Sequence, residues 1–447
     1  MLERRCRRDG SVAFNEGNTG FVHFALLLLS HVLKCLRMGA HSAGWRFAPR
    51  CAGKLGRDLI GEDKCMIEDA LLNPRNRARI PVAAPDLSGN EEKYVVEAIR
   101  STWISSTGKY IGQFEREFSS LCGTRAAVGV CNGTVALHLA LLALDVRSGD
   151  EVLVPSLTYI ATANAVRYVG AEPVFVDVDA DTWCMDPARL EDSITPRTKG
   201  IIAVHLYGHP CDMDAINHIA GVHGLWVVED AAEAHFALYK GRMVGSMSRM
   251  ATFSFYGNKI LTCGEGGALT LNDANLELRV RTLRGQGMDP LRRYYFPVTG
   301  YNFRMTNIAA ALLCAQLERR EEIMARRRDI FRRYRSLLAD VSGVGFQPTA
   351  PWAEPTPWLF CITVDEAVYG HSRDELMAFL DSVGVETRPF FIPVHSLPPF
   401  REGSHQRGET LPITDRLARS GLNLPTFTGM TDEDIAYIAE RISEFRK

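Results

Sequence analysis

From Ala126 onward the chain repeats one unit: a short apolar, β-prone run, a turn, then a helix-like segment. Ala126–Val130, Glu151–Pro155, AEPVFVDV, KGIIAVHLYG and Leu225–Val228 are such runs. Runs with so little polar alternation suit strands covered on both faces, and strands separated by helices suit βαβ units. The expected fold class is α/β, a three-layer domain with a mostly parallel sheet between helices. Open sheets of that kind bind ligands beyond the carboxyl ends of their strands, so polar residues at those ends are the first candidates for function.

Asp230 and Lys259 stand out on that rule. Glu229 and Asp230 close the run GLWVVED. Lys259 follows the strand-like Ala251–Phe255 in ATFSFYGNKILTCGEGGAL, where Gly264, Gly266 and Gly267 allow a tight turn. An amine acts as a nucleophile near neutral pH only when burial or a positive neighbour destabilises its ammonium, and lysine shifts more readily than arginine. A carboxylate at one strand end and an amine one strand later match the needs of pyridoxal phosphate: one group keeps the pyridine nitrogen protonated, the other holds the aldehyde. Asp230 also suits an N-cap of the AAEAH segment, and the two roles are compatible. Ser254 adds a hydroxyl to the lysine segment. Asn132, Gly133 and Thr134 precede an Ala/Leu-rich helix, gathering N–H groups and a hydroxyl where an anion binds. Tyr159, in SLTYIATANAV, falls at the start of a helix near the sheet's edge, where it either stacks on a planar ring or packs the helix.

Charge and cysteine usage narrow the class. The 51 basic and 53 acidic side chains nearly cancel, so nothing global favours nucleic acid or stable membrane insertion. Eleven cysteines without C-x-x-C spacing suggest neither a disulfide framework nor a zinc site, and point to reduced thiols in a cytoplasm. Cys263 reads as a small buried filler. His205, His209 and His235 share no metal-ligand spacing, so no metal is expected.

Residues 1–65 differ from the rest, with Arg4, Arg5, Arg7 and Arg8 ahead of an apolar run from Phe21 to Leu33 that His23, Ser30 and His31 interrupt. The run is shorter than the roughly 20 apolar residues a membrane helix needs. The segment is expected to be disordered or untranslated, with Met66 as the working start; a peripheral anchor is the alternative. From Ile80 the pattern becomes regular. Ser88 with Glu91 and Glu92 predicts a capping-box start to a helix over Glu91–Ser101. Thr306 is expected to cap a long helix with an apolar stripe through Ile308, Leu312, Ala315 and Ile323. Its arginines alternate with Glu318, Glu321, Glu322 and Asp329, as on a solvated face. The expected domains are a large one over 80–320 and a smaller α/β domain over 321–447.

The segments GTVALHLALLAL, PSLTYIATANAV, VVEDAAEAH, ATFSFYGNKILTCGEGG, GYNFRMTN and ETRPFFIPVH, in this order, resemble the DegT/DnrJ/EryC1/StrS sugar aminotransferases of pyridoxal phosphate fold type I. The resemblance covers about residues 80–447. It implies an aspartate aminotransferase-like fold, Lys259 as the holder of the cofactor aldehyde, and Asp230 as partner of the ring nitrogen. It further implies Tyr159 stacked on the ring, Glu233 near the phenolic oxygen, and Gly133, Thr134 and Ser254 as a phosphate cradle. Asn302, with Arg304 as its rival, would reach the phosphate of a neighbouring subunit, which implies a homodimer. A branch of the family that replaces the lysine with histidine dehydrates sugars instead, and this chain keeps lysine.

The activity so implied is transfer of an amino group from L-glutamate, through pyridoxal and pyridoxamine 5'-phosphate, to a nucleotide-linked 4-keto-6-deoxy sugar. The product would be a 4-amino sugar of the GDP-perosamine type. Alternatives are amination at C3, a UDP- or dTDP-linked sugar, or a non-catalytic regulatory protein that keeps the fold. Arg388 and His395 are candidates for lining the sugar or nucleotide pocket.

Overall fold

Seven strands form the central sheet: β1 (Ala126–Val130), β2 (Glu151–Pro155), β3 (Glu172–Val176), β4 (Thr198–Val204), β5 (Trp226–Asp230), β6 (Met250–Ser254) and β7 (Gly267–Leu271). This is a computed structural model, and it describes residues 79–446; the expectations for residues 1–65 lie outside the described residues. The strand order is β1-β7-β6-β5-β4-β2-β3. β3, β2, β4, β5 and β6 run parallel, and β7 runs antiparallel to both β6 and β1. The carboxyl ends of β1, β2, β4, β5 and β6 therefore share one edge.

Alternate residues of each strand feed opposite layers, as the pleat requires. Leu153, Ile201, Val227, Ala251 and Phe253 join one buried cluster, while Val152, Val154, Ile202, Val228 and Met250 join another. On the first face lie α2 (Lys109–Cys122), through Phe114 and Phe118, and α5 (Met213–His223), through Met213 and Ile216. The second face is covered by α3 (Gly133–Ala143), α4 (Ala161–Tyr168) and α6 (Ala274–Arg284). The three-layer, mostly parallel α/β architecture is as expected from the sequence.

Two helical expectations are corrected. α1 spans Glu91–Arg100, but its N-cap is Asn90, without a side-chain cap bond, and not Ser88. Ser88 donates instead to Asp86, two residues back, at 2.7 Å, and Asn90 donates to the distant Glu318 at 2.8 Å, so a local turn and a long-range bond replace the capping box. The expected long helix is two: α7 (Asn307–Glu318), capped by Thr306, and α8 (Arg320–Leu338). They break at Arg319, whose guanidinium is drawn to Asp86 at 3.0 Å and Glu322 at 2.7 Å. The arginine face is tied together by ion pairs, since Asp329 gathers Arg326, Arg332 and Arg333 within 3.0 Å.

A second, antiparallel sheet follows: β8 (Val344–Phe346), β9 (Phe360–Val364), β10 (Arg388–Pro389) and β11 (Gly421–Leu424), in the order β8-β9-β11-β10. Its core joins Ile362 and Leu422 to Ile330 and Tyr334 of α8, Leu380 of α9 (Arg373–Ser382) and Ile438 of α10 (Asp432–Phe445). No helix among the described residues is long and apolar enough to cross a membrane.

Candidate active site

Lys259 lies in the hairpin that joins β6 to β7, its amide donating to the Tyr256 carbonyl at 2.9 Å. The side chain is 12 % exposed. Nζ stands 3.8 Å from Glu233 Oε1 and 4.0 Å from the centre of the Trp358 ring. Burial lowers the amine below the ordinary lysine value, with Glu233 and Asp230 pulling the other way. A lysine held so loosely to its carboxylates can lose its proton and act as a nucleophile or base.

Asp230 ends β5 with its carboxylate buried. Oδ2 accepts from the Thr162 hydroxyl of α4 at 2.9 Å, and Oδ1 accepts from the Ala232 amide at 3.2 Å. Burial raises its pKa, opposed by Thr162, Ala232 and the charge on Lys259. The AAEAH segment forms successive turns, with no helix to cap, because the chain folds back at once from the strand end. Pleating sends the neighbouring Glu229 to the other side, where His205, Ser248 and the amides of Gly245 and Met247 occupy it. Of the carboxylate pair, Asp230 is the one that feels the Lys259 charge among its main influences, while Glu229 answers chiefly to His205.

Glu233 comes from the same turns and accepts from the Tyr207 amide at 2.9 Å. Tyr207 adopts a left-handed backbone (φ 51°), uncommon for a non-glycine residue, and that conformation aims its N–H at the carboxylate. Burial pushes Glu233 up to about 7, with Lys259 opposing. An acid whose pKa is raised on folding holds its proton more tightly in the folded state. The stability this confers is complete below its ordinary pKa near 4.5 and is lost as pH rises through about 7. In cofactor-free protein, Glu233→Gln is therefore expected to melt higher than wild type near pH 7.5, by roughly 5 °C, and to converge with it towards about pH 5. Melting curves that stay parallel across that range would remove the assignment.

The anion cradle forms where β1 meets α3. Asn132 caps α3 by accepting from the Val135 amide at 2.9 Å, which leaves the N–H groups of Gly133 and Thr134 pointing out of the helix start. Glycine is required twice here. A Cβ on Gly133 would stand 2.7 Å from the Ser254 Cβ, and one on Gly267 would stand 2.4 Å from the Asn132 carbonyl oxygen. Gly267 pairs with both Val130 and Ser254, so β7 draws the ends of β1 and β6 together.

Tyr159 follows β2 and is 59 % exposed, with its ring centre 5.9 Å from that of Phe391. Among the described residues no hydrogen bond or ring contact links Asn302 to this group; it is exposed and bridges Gly285, while Arg304 bridges Val130 beside the cradle. His395 bonds Ser156 at 2.8 Å, fastening the loop after β2, and Arg388 is 3.6 Å from Glu386. Sequence reasoning missed Thr162, Tyr207 and Trp358, which reach the site from other elements. His235, which the sequence marked as no metal ligand, is fully buried against Phe253 and Phe255, and burial holds it neutral, its pKa down at about 3.

The model of the DegT/DnrJ/EryC1/StrS aminotransferase family matches residues 85–443. The chain belongs to this family. It is 50 % identical over 361 residues to the GDP-perosamine synthase of Caulobacter vibrioides, covering 80 % of this chain and 95 % of that one. It is 45 % identical over 366 residues to the GDP-perosamine synthase of Escherichia coli O157:H7, covering 82 % and 98 %. The crystal structure of S. venezuelae DesV in complex with a ketimine intermediate matches at a TM-score of 0.77 and 37 % identity, over 83 % of this chain and 99 % of that one. Other solved relatives are PLP and PMP forms. This family member is a pyridoxal phosphate-dependent sugar aminotransferase, and its residues fit the cofactor: a cradle that a Cβ at Gly133 would fill, a buried carboxylate, and a buried amine.

Proposed function

We propose that this enzyme transfers the amino group of L-glutamate to C4 of a GDP-linked 4-keto-6-deoxy sugar, giving a GDP-perosamine-type product for surface polysaccharide or glycan assembly. The chemistry rests on the buried amine of Lys259, set between Glu233 and Trp358 on the strand edge that also carries Asp230. The substrate class rests on the two GDP-perosamine synthases at 50 % and 45 % identity.

Pyridoxal phosphate supplies an aldehyde for amino exchange and, through its protonated ring, a sink for electrons from the bond broken at the donor's α-carbon. Lys259 Nζ would hold that aldehyde, and as a free amine it would take the α-proton of the donor and pass it on rather than return it. Asp230, steadied by Thr162, keeps a proton on the ring nitrogen. Glu233 would serve the phenolic oxygen, and Tyr159 would cover one ring face. The Gly133 and Thr134 amides and the Ser254 hydroxyl bind the phosphate. Asn302 of a second copy completes the phosphate site, so the working unit is a cytoplasmic homodimer. Residues 80–320 make up the cofactor domain and 321–447 the smaller one.

The test is an absorbance spectrum. The visible band of the PLP-loaded enzyme is expected to bleach with L-glutamate and to return when GDP-4-keto-6-deoxymannose is added. Return with a dTDP- or UDP-keto sugar alone would replace the substrate, and failure to bleach would remove the donor.

A further inference from the structure

We infer that Trp358 is the positioning residue of Lys259, acting through both the face and the N–H of its indole. The two contacts are independent. The ring face lies under the amine, with Nζ 4.0 Å from its centre. The indole Nε1 donates at 2.7 Å to the carbonyl of Asn258, the residue immediately before Lys259. One side chain therefore fixes both where the lysine leaves the backbone and where its amine comes to rest.

Trp358 is itself held. It is 3 % exposed, its carbonyl accepts from the buried Arg327 guanidinium at 2.8 Å, and its amide donates to Thr356 at 2.9 Å. It precedes β9, so it meets the lysine from the C-terminal half of the chain. The titratable groups that act on the amine, Asp230 at the end of β5, then Glu233 and His235, lie on one short segment, and Tyr207 stacks on the indole from another. At 3.8 Å the Glu233 carboxylate is beyond hydrogen-bonding reach, so the indole face, its centre 4.0 Å away, is a second support of the amine alongside it. A cation is attracted to an indole face and a neutral amine is not, so the ring favours the ammonium against the desolvation that burial imposes. The indole thus limits how readily Lys259 gives up its proton while keeping it in line with the site.

This inference rests on the catalytic reading of Lys259 but is tested on the amine itself. In full-length enzyme charged with pyridoxamine phosphate the lysine amine is free. Its acylation rate can be followed against pH by mass spectrometry of the Lys259 peptide, in wild type, Trp358→Phe and Trp358→Leu. The phenylalanine variant retains an aromatic face and loses the N–H: its midpoint is expected to match wild type while turnover falls about tenfold. The leucine variant loses both, and its midpoint is expected about one unit lower. An unchanged midpoint in Trp358→Leu, or equal shifts in the two variants, overturns the inference. Should Trp358→Leu fail to fold, wild-type turnover in Trp358→Phe would overturn it instead. A shifted midpoint in protein that transaminates no keto sugar would sink the functional proposal and leave this one standing.

Discussion

Lys259→Ala is expected to lower turnover by about 10⁴-fold or more while the protein keeps its fold and its cofactor. The size follows from two losses in one substitution. The amine that holds the aldehyde is gone, and so is the base that moves the α-proton, for which solvent is a poor substitute. Retention of the fold follows from the surroundings. The Trp358 bond to the Asn258 carbonyl and the Lys259 amide bond to Tyr256 do not depend on the ammonium. Cofactor is expected to persist through the cradle at Gly133, Thr134 and Ser254. The measurement pairs a steady-state rate with phosphate-ester content after gel filtration. Turnover within tenfold of wild type would end the catalytic assignment, whereas loss of both cofactor and fold would show that the lysine is structural.

Asp230→Asn is expected to cost about 10³-fold in rate with little change in melting temperature. The amide has the shape of the carboxylate. Its oxygen can keep the Ala232 amide as donor, while the Thr162 hydroxyl can turn to accept from the new NH₂. The negative charge beside the amine disappears, and with it the means of keeping a ring nitrogen protonated. Binding should hold while the proton-transfer step slows, so kcat falls and the KM for donor changes little. Unchanged kinetics would mean that Asp230 serves the turn at Ala232 and nothing more.

The strand framework was readable because burial on both faces leaves a local mark: β1 and β2 fall within the expected apolar runs, and each strand's end could be searched for polar residues. Asp230 and Lys259 were within reach of that search, since one closes a strand and the other sits in the hairpin that follows one, whereas Glu233 was marked only by the family resemblance. What lay outside it was every feature settled by a distant partner. Nothing near Ser88 announces that Asp86 will also engage Thr428 and Arg319, or that Asn90 will turn to Glu318. No glycine or proline marks the break at Arg319, where the guanidinium pairs with the distant Asp86. Trp358 occupies an ordinary place before a strand, and only the folded chain sets its ring against an amine about a hundred residues earlier in the sequence. Tyr207 carries no turn-forming signature, yet its backbone is the one bent to serve Glu233.

The reversed strand β7 has a consequence for how the protein comes into being. Within the central sheet β1 is at the edge, and its one neighbour is β7, which is synthesised after every other strand of that sheet. Until residues 267–271 leave the ribosome, the cradle after β1 has no sheet to join, and the hairpin bearing Lys259 has no returning arm. Both are closed by the same insertion, a long-range event of the kind that slows folding. The Trp358 ring, which meets Lys259 from a still later part of the chain, can take its place only after that closure.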